Sequence, residues 1–330
     1  MTKNALVEVK KLKKYYPVKQ GVRDLFSREQ KFVKAVDDIS FSIRRGEILG
    51  LAGESGSGKT TTGEILVRLQ DITDGEVIFD DHDFLAKNRT EEKKFRKEVQ
   101  MIFQDPYETL NPRFTILETI AEPLKIYGMK NQEEIYNKVI EVLEIAELRP
   151  ASQFVFRYPH ELSGGQRQRV AIARGIALDP KFLVADEPVS MLDVSIRADI
   201  LNLLKDLRDK MGLTMLYVSH DLSTIKYLCD RIAIMYLGKI VEIGSVDEVI
   251  HHPKHPYTKV LLSSVPIADP DQIRERIEID EATPDQINLP PGCRFEPRCP
   301  WAKEECKNVD HTLFERGKDH WSACIFEEFN

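Results

Sequence analysis

Residues Gly53 to Thr60, GESGSGKT, constrain this chain more than any other stretch. They follow the apolar run ILGLA and lead into the helix-like run TTTGEILVRL. A glycine-rich loop between a buried strand and a helix can bend so that its backbone N–H groups face a phosphate chain. The helix that follows adds the positive end of its dipole. This context predicts a phosphate cradle built from Gly53, Ser55, Gly56, Ser57, Gly58, Lys59, Thr60 and Thr61. Lys59 can reach the outer phosphates, and the Thr60 hydroxyl can ligate Mg²⁺. An ordinary glycine turn before a helix is the weaker reading, given the strand and helix that flank the motif.

Such a loop needs an acidic partner at the end of a second buried strand, and FLVADE supplies one. Asp186 is expected to hold Mg²⁺ through water, and Glu187 to polarise an attacking water as general base. FLVAD and TMLYVS are short, almost wholly apolar runs, as parallel strands buried on both faces require. Ile200 to Lys210 reads as the helix between them, a βαβ pattern and hence an α/β fold with a central, largely parallel sheet. Shorter strand-like stretches are expected at Leu6–Val9, Ala35–Ile43, Ile48–Ala52 and Val77–Phe79. From about Asp105 to Pro180 the period turns helical: Ile135, Val139, Val142, Leu143 and Ala146 fall on one face. A polar, basic insert between Val18 and Lys31 reads as a solvated loop, and the Pro- and charge-rich stretch beyond Leu262 reads as a linker.

A chain of 330 residues accommodates one large domain and an appendage. The net charge of −7 argues against nucleic acid as the main partner. No apolar run approaches the roughly 18 residues that span a bilayer, and the N-terminus lacks a signal-peptide core. The chain is therefore read as cytoplasmic, with any membrane role supplied through partners. Four cysteines, Cys293, Cys299, Cys306 and Cys324, crowd the C-terminus, spaced x5, x6 and x17. In a reducing compartment such a cluster points to metal more than to disulfides, but tight zinc-type pairs are missing. By number alone, four thiolates suit zinc or an iron–sulfur cluster; His311 and His320 are less favoured ligands. Cys229, beside Tyr227 and Leu228, reads as a packed core thiol.

One segment narrows the machine. LSGGQ, Leu162 to Gln166, running into RQRVAIARGIAL, resembles the signature motif of ABC ATPases. In order along the chain, Gln104 in IFQDP resembles the Q-loop glutamine, Asp193 in SMLD the D-loop aspartate, and His220 in YVSHDL the switch histidine. Tyr16 in KKYYP is similar to the aromatic that stacks on adenine, with adjacent Tyr15 the competing choice. The match covers about Val7 to Leu262 and implies a nucleotide-binding domain over 1–262, with antiparallel β and helical subdomains, the latter at about 105–180. A linker and small cysteine-rich extension occupy 263–330. Ser163, Gly164, Gly165 and Gln166 sit where a helix from Gln166 to Ala177 is predicted to begin, and free N–H groups there suit a γ-phosphate. The resemblance implies that ATP lies between one subunit's phosphate loop and another's signature in a head-to-tail dimer. It further implies that Gln104 senses the γ-phosphate and Mg²⁺, and that His220 donates to the γ-phosphate. Met191 stands where small residues are commoner in the family.

HPYTKVLLSSVP, PPGCRFEPRCPWAKEEC and WSAC resemble the ATPase subunits of oligopeptide and dipeptide importers, more the second ATPase of such systems than the first. That resemblance implies two permease subunits, a second ATPase in a heterodimer, an extracellular binding protein and a place on the cytoplasmic membrane face. It also implies a [4Fe–4S] cluster at the four cysteines, with zinc and free thiols as alternatives. Peptides are the expected cargo and oligosaccharides the next. A soluble ABC ATPase of repair or translation fits less well, since the interval from Q-loop to signature is too short for a coiled coil and only one cassette is present. A non-hydrolysing regulatory subunit is disfavoured because Lys59, Glu187, His220 and LSGGQ are all intact.

Overall fold

A computed structural model of the chain describes residues 4–18, 30–83, 89–264, 277–279 and 285–329. Most of the polar insert (19–29) and much of the linker (265–276 and 280–284) lie outside the described residues. The elements run β1 (Ala5–Pro17), β2 (Phe32–Arg44), β3 (Ile48–Ala52), α1 (Lys59–Leu66), β4 (Asp74–Phe79), β5 (His82–Asp83), α2 (Arg89–Glu98), β6 (Val99–Ile102), α3 (Pro106–Thr109), α4 (Ile116–Ile126) and α5 (Gln132–Ile145). They continue α6 (Gly164–Ile176), β7 (Phe182–Asp186), α7 (Val194–Met211), β8 (Thr214–Ser219), α8 (Leu222–Leu228), β9 (Arg231–Tyr236), β10 (Lys239–Ser245), α9 (Val246–His251), α10 (Pro256–Ser263), β11 (Phe314–Gly317) and β12 (His320–Ser322). The chain divides into two compact units: one of Met1–Leu6, Ile43–Ile48 and Leu85–Val218, the other of Val7–Ser42, Leu49–Phe84 and Ser219–Asn330.

In the first unit, β6, β7 and β8 pair in parallel, with Val99 opposite Phe182 and Phe182 opposite Thr214. Every residue of β7 and β8 is buried, as their unbroken apolar sequences predict. The stretch expected to be helical holds α3 to α6. On α5, Ile135, Val139, Val142 and Leu143 are each at most 2% exposed, the face the spacing predicts. Burying side chains of this size contributes about 1.5–3 kcal/mol each, an upper estimate. Helix α4 starts at a reciprocal Thr115–Glu118 capping box. Helix α2 has no apolar stripe and is not foreseen by periodicity; Arg96 pairs with Glu92 one turn back, at 3.0 Å.

In the second unit, β2, β1, β4 and β5 form one sheet, β1 and β4 antiparallel with Val7 opposite Phe79. The strands β11, β12, β10, β9 and β3 lie in that order in a second sheet. Here β3 and β9 are parallel, while β10 is antiparallel to both β9 and β12. Both β1 and β2 extend well beyond the apolar stretches that marked them, because ladder pairing holds polar residues that periodicity alone does not. Helix α8 brings Ile225 and Cys229 against Gly50 of β3, so close that a Cβ there would meet both. Cys229 is thus a packing thiol, as its neighbours suggested.

The C-terminal hairpin β11–β12 joins this sheet, with Ser322 opposite Glu242 of β10. Glu242 is fully buried and accepts from the Lys254 and His255 N–H groups at 2.6 and 2.9 Å. His320 Nε2 lies 2.7 Å from its carboxylate. A buried carboxylate with three partners ties chain segments of distant sequence together. His320, weighed above as a metal ligand, is engaged here, and His311 Nε2 meets the Gly292 carbonyl at 2.8 Å.

His255 caps α10, its Nδ1 accepting from the Tyr257 N–H at 3.1 Å. Complete burial, with His311 nearby, lowers its pKa to about 3. The folded chain therefore keeps this imidazole neutral, while the unfolded chain binds a proton below about pH 6.5. Its stabilising contribution is full above that pH and shrinks as pH falls towards about 3. In urea titrations, stability is expected to fall by up to about 1.4 kcal/mol more per pH unit below 6.5 in the wild type than in His255→Gln. Parallel pH profiles of the two proteins would contradict this. Among the described residues, no helix is long and apolar enough to cross a membrane.

Candidate nucleotide site

The phosphate loop lies in the second unit. Gly58 precedes α1 with φ 105°, a left-handed conformation, and a Cβ there would collide with the Ala35 carbonyl oxygen. No side chain caps α1 and no acidic residue occupies its first turn, so the positive end of the helix dipole meets no side-chain anion there. Lys59 is only 6% exposed, and its ammonium donates to the Gly53 and Glu54 carbonyls at 2.8 and 2.9 Å. Ser57 Oγ is buried and makes no hydrogen bond among the described residues. Ser55, Gly56 and Thr60 are exposed, and Thr61 is half-buried. An uncapped helix start, a gathered ammonium and an unsatisfied hydroxyl fit a phosphate chain.

Two tyrosines competed for the adenine, and the structure separates them. The Tyr15 hydroxyl donates to Asp37. Tyr16, half-buried, bonds instead to the side chain of Thr61, just past the phosphate loop, while burial raises its pKa. Strand alternation points the neighbours to opposite faces. His220 follows β8 directly and is exposed rather than buried.

The acidic residues lie in the first unit. Asp186 ends β7 and is 4% exposed. Glu187 follows at φ 45°, a conformation that non-glycine residues seldom adopt. Its N–H donates to the Val218 carbonyl at 2.9 Å, and its own carbonyl accepts from Ser190 N–H and Oγ. Gln104 Nε2 donates to the Glu187 carboxylate at 3.1 Å, bringing together two residues that the sequence placed 83 positions apart. Backbone outliers of this kind concentrate at functional sites.

Also in this unit, the signature helix begins at Gly164, two residues before the predicted Gln166. The cause is a capping box: Ser163 Oγ accepts from Gln166 N–H at 3.3 Å, and Gln166 Oε1 accepts from Ser163 N–H at 3.0 Å. Ser163 and Gln166 therefore organise the helix start itself. A Cβ at Gly165 would strike Ile196 of α7, so the glycine lets the two helices meet. Asp193 sits at the N-cap of α7 but makes no side-chain cap bond. Met191 is exposed.

The four cysteines are free of disulfides. Cys306 is buried and the others half-buried. Burial raises Cys293 to about 11 and Cys299 to about 12, and in both the other cysteines push the same way. Cys293 and Cys299 are thus held as thiols at neutral pH, and burial pushes Cys324 the same way. Among the described residues, however, no group of three or more His, Cys, Asp or Glu is arranged to hold a metal ion. The donor set has the right chemistry for a soft metal group but not the arrangement.

Sequence reasoning missed one set of contacts at the phosphate loop. Arg298 pairs with Glu54 at 2.9 Å, Tyr257 Oη accepts from the Glu54 N–H at 2.9 Å, and Gln286 Nε2 donates to the Gly56 carbonyl at 3.3 Å. No periodicity or short motif reports pairs separated by more than two hundred residues.

Known proteins resemble this chain in sequence and in fold. The ABC transporter family model matches residues 36–190, and the model for the C-terminal region of oligopeptide/dipeptide transporters matches residues 241–306. The chain is 47% identical to the dipeptide transport ATP-binding protein DppF of Haemophilus influenzae over 95% of this chain and 94% of that one. It is 45% identical to the oligopeptide transport ATP-binding protein AppF of Bacillus subtilis over 97% and 96% respectively. Among solved structures, a dimeric ATP-binding cassette in a post-hydrolysis state bound to ADP and Pi is 32% identical, covering 73% of this chain and 98% of that one with a TM-score of 0.63. Motifs, fold and full-length relatives converge: the chain belongs to the ABC transporter ATP-binding proteins and carries the C-terminal region of their oligopeptide/dipeptide branch.

Proposed function

We propose that this chain is the ATP-hydrolysing subunit of a peptide importer, working at the cytoplasmic membrane face on membrane permease subunits. The observation that carries the reading is the phosphate loop, with Lys59 gathered at the uncapped start of α1. Relatives named for dipeptide and oligopeptide transport support peptide as cargo. In this reading Tyr16 stacks on adenine, and Gly53, Ser55, Gly56, Ser57, Gly58, Lys59, Thr60 and Thr61 hold the phosphates. Thr60, Gln104 and Asp186 attend Mg²⁺, which shields phosphate charge when bound. Glu187 takes a proton from the attacking water, Gln104 orients its carboxylate, and His220 donates to the γ-phosphate. Ser163, Gly164, Gly165, Gln166 and Asp193 serve the nucleotide of a second, head-to-tail ATPase subunit, which a heterodimer would supply. The nucleotide-binding domain spans 1–262, and 263–330 is an appended segment. Proteoliposomes holding the assembled transporter test the cargo: ATP-dependent uptake of a labelled oligopeptide is expected. Uptake of an oligosaccharide in its place would move the chain to the alternative cargo, and no uptake with intact ATPase activity would overturn import.

We infer a [4Fe–4S] cluster at Cys293, Cys299, Cys306 and Cys324 from the number of thiol donors crowded into this segment. As arranged, the thiols do not form a ligand set, so the segment would have to close on the group as it displaced their protons. Iron, sulfide and zinc analysis of anaerobically purified chain decides: about four irons per chain are expected for the cluster. Zinc, or no metal, would replace that reading with one of its alternatives.

A further inference from the structure

The cysteine segment grips the nucleotide-binding loop. Phe295 is 1% exposed, its ring 5.4 Å from that of Tyr236 and 5.3 Å from that of Tyr257. This anchor lies between two arginines. Arg294, 6% exposed, donates to the Leu237 carbonyl and to Asp37, the carboxylate that also accepts from Tyr15. Arg298 reaches the other way: Nη1 lies 2.9 Å from one Glu54 oxygen and Nη2 3.4 Å from the other, a two-pronged pair. Nη1 also donates to the Tyr236 hydroxyl at 3.2 Å. The Arg298 side chain is 11% exposed and Glu54's is 35%, so the pair is partly shielded from water.

Glu54 is the first residue of the loop after Gly53, and it is held at three points. Its N–H donates to Tyr257, its carbonyl accepts from Lys59, and its carboxylate accepts from Arg298. The Lys59 ammonium, which the proposed function sends to the phosphates, thus rests on a carbonyl whose own residue is fixed from the C-terminal segment. A loop that must present several N–H groups at once gains from being rigid before ligand arrives, because ordering it on binding would cost affinity.

From this geometry we propose that Arg298 is a positioning residue for ATP: through Glu54 it holds the phosphate loop in its binding shape, so that ATP affinity depends on the C-terminal cysteine segment. The inference rests on the reading of residues 53–61 as the ATP site. Arg298 touches no nucleotide; it acts through its two-pronged pair with Glu54. It is next to Cys299, and Arg294 next to Cys293, so a rearrangement of the cysteines is transmitted to the loop by the shortest covalent route.

The test uses the full chain and a fluorescent ATP analogue with Mg²⁺, alongside ATP hydrolysis by the assembled transporter. Arg298→Met is expected to weaken analogue binding roughly tenfold, within the range of coupled contacts, with Arg298→Lys between it and the wild type. KM for ATP should rise by a similar factor while kcat changes less than about twofold, the signature of lost binding rather than lost chemistry. Glu54→Gln should do the same, and the double variant no more than either alone. Wild-type affinity in both single variants, or additive losses in the double, would overturn the proposal. Should Arg298→Met not fold, Glu54→Gln decides by itself, since it breaks the same pair from its more exposed side. Lys59→Ala is the control for the underlying reading: analogue binding unaffected by that change would sink the ATP site itself. Loss with Lys59→Ala but not with Glu54→Gln or Arg298→Met would sink only the positioning role.

Discussion

Replacing Glu187 by Gln is expected to stop ATP turnover while leaving ATP binding in place. The physical argument is local. Gln keeps the size of Glu and can still meet Gln104, now 3.1 Å from the carboxylate. The backbone is fixed independently of the side chain, through the Val218 carbonyl, Ser190 and the unusual φ of 45°. A conformation of that kind costs of order 1–3 kcal/mol and is held only because its surroundings determine it. The substitution therefore removes one property, the ability to accept a proton from water. Loss of a general base costs roughly 10²- to 10⁴-fold in rate. Phosphate release by the assembled transporter should fall within that range, with the affinity for MgATP little changed. Turnover above a tenth of the wild-type rate would assign the base elsewhere.

Lys59→Ala should act on the opposite quantity. Here the ammonium is stored against the Gly53 and Glu54 carbonyls at 2.8 and 2.9 Å, almost wholly buried. In the proposed site it exchanges these neutral acceptors for phosphate oxygens bearing full charge, which add Coulomb attraction to the hydrogen bond. Truncating one partner of a desolvated charge pair costs about 2–5 kcal/mol. At 1.4 kcal/mol per tenfold, that is a loss of ATP affinity of roughly 30- to 4,000-fold. Calorimetric titration of the purified full chain with MgATP reads it directly. A variant that binds ATP as the wild type does would remove the loop from the site.

What the sequence made legible was whatever is encoded locally. The strand, loop and helix around Gly53–Thr60 stand where the motif placed them, because glycine placement and two apolar runs fix a short piece of backbone. Buried β7 and β8 were readable for the same reason. The different hydroxyl partners of Tyr15 and Tyr16 were not, since they depend on which face of β1 meets Asp37 and which meets Thr61. The start of α6 came two residues early because the Ser163–Gln166 capping box outweighs the two glycines that follow Ser163. Helix α2 escaped detection because charge pairs, rather than a stripe, accompany it. The grip of Arg298 on Glu54 could not be read at all, for nothing near either residue signals the other. The cysteines lie between these cases: their number and crowding are in the sequence, while their arrangement is a tertiary fact that buries Cys306 and half-buries the other three.

The central claim is that ATP is gripped by the loop of one subunit and closed over by LSGGQ of another. Phosphate release by the fully assembled transporter, measured with Ser163→Arg in this chain, addresses it most directly. Ser163 is exposed at the start of α6, where its replacement removes the helix cap at a cost of about 0.5–2 kcal/mol, so MgATP binding by the isolated variant also checks that the chain still folds. Hydrolysis is expected to collapse, while MgATP binding to the isolated chain, which uses its own loop, persists. Hydrolysis at the wild-type rate would contradict it.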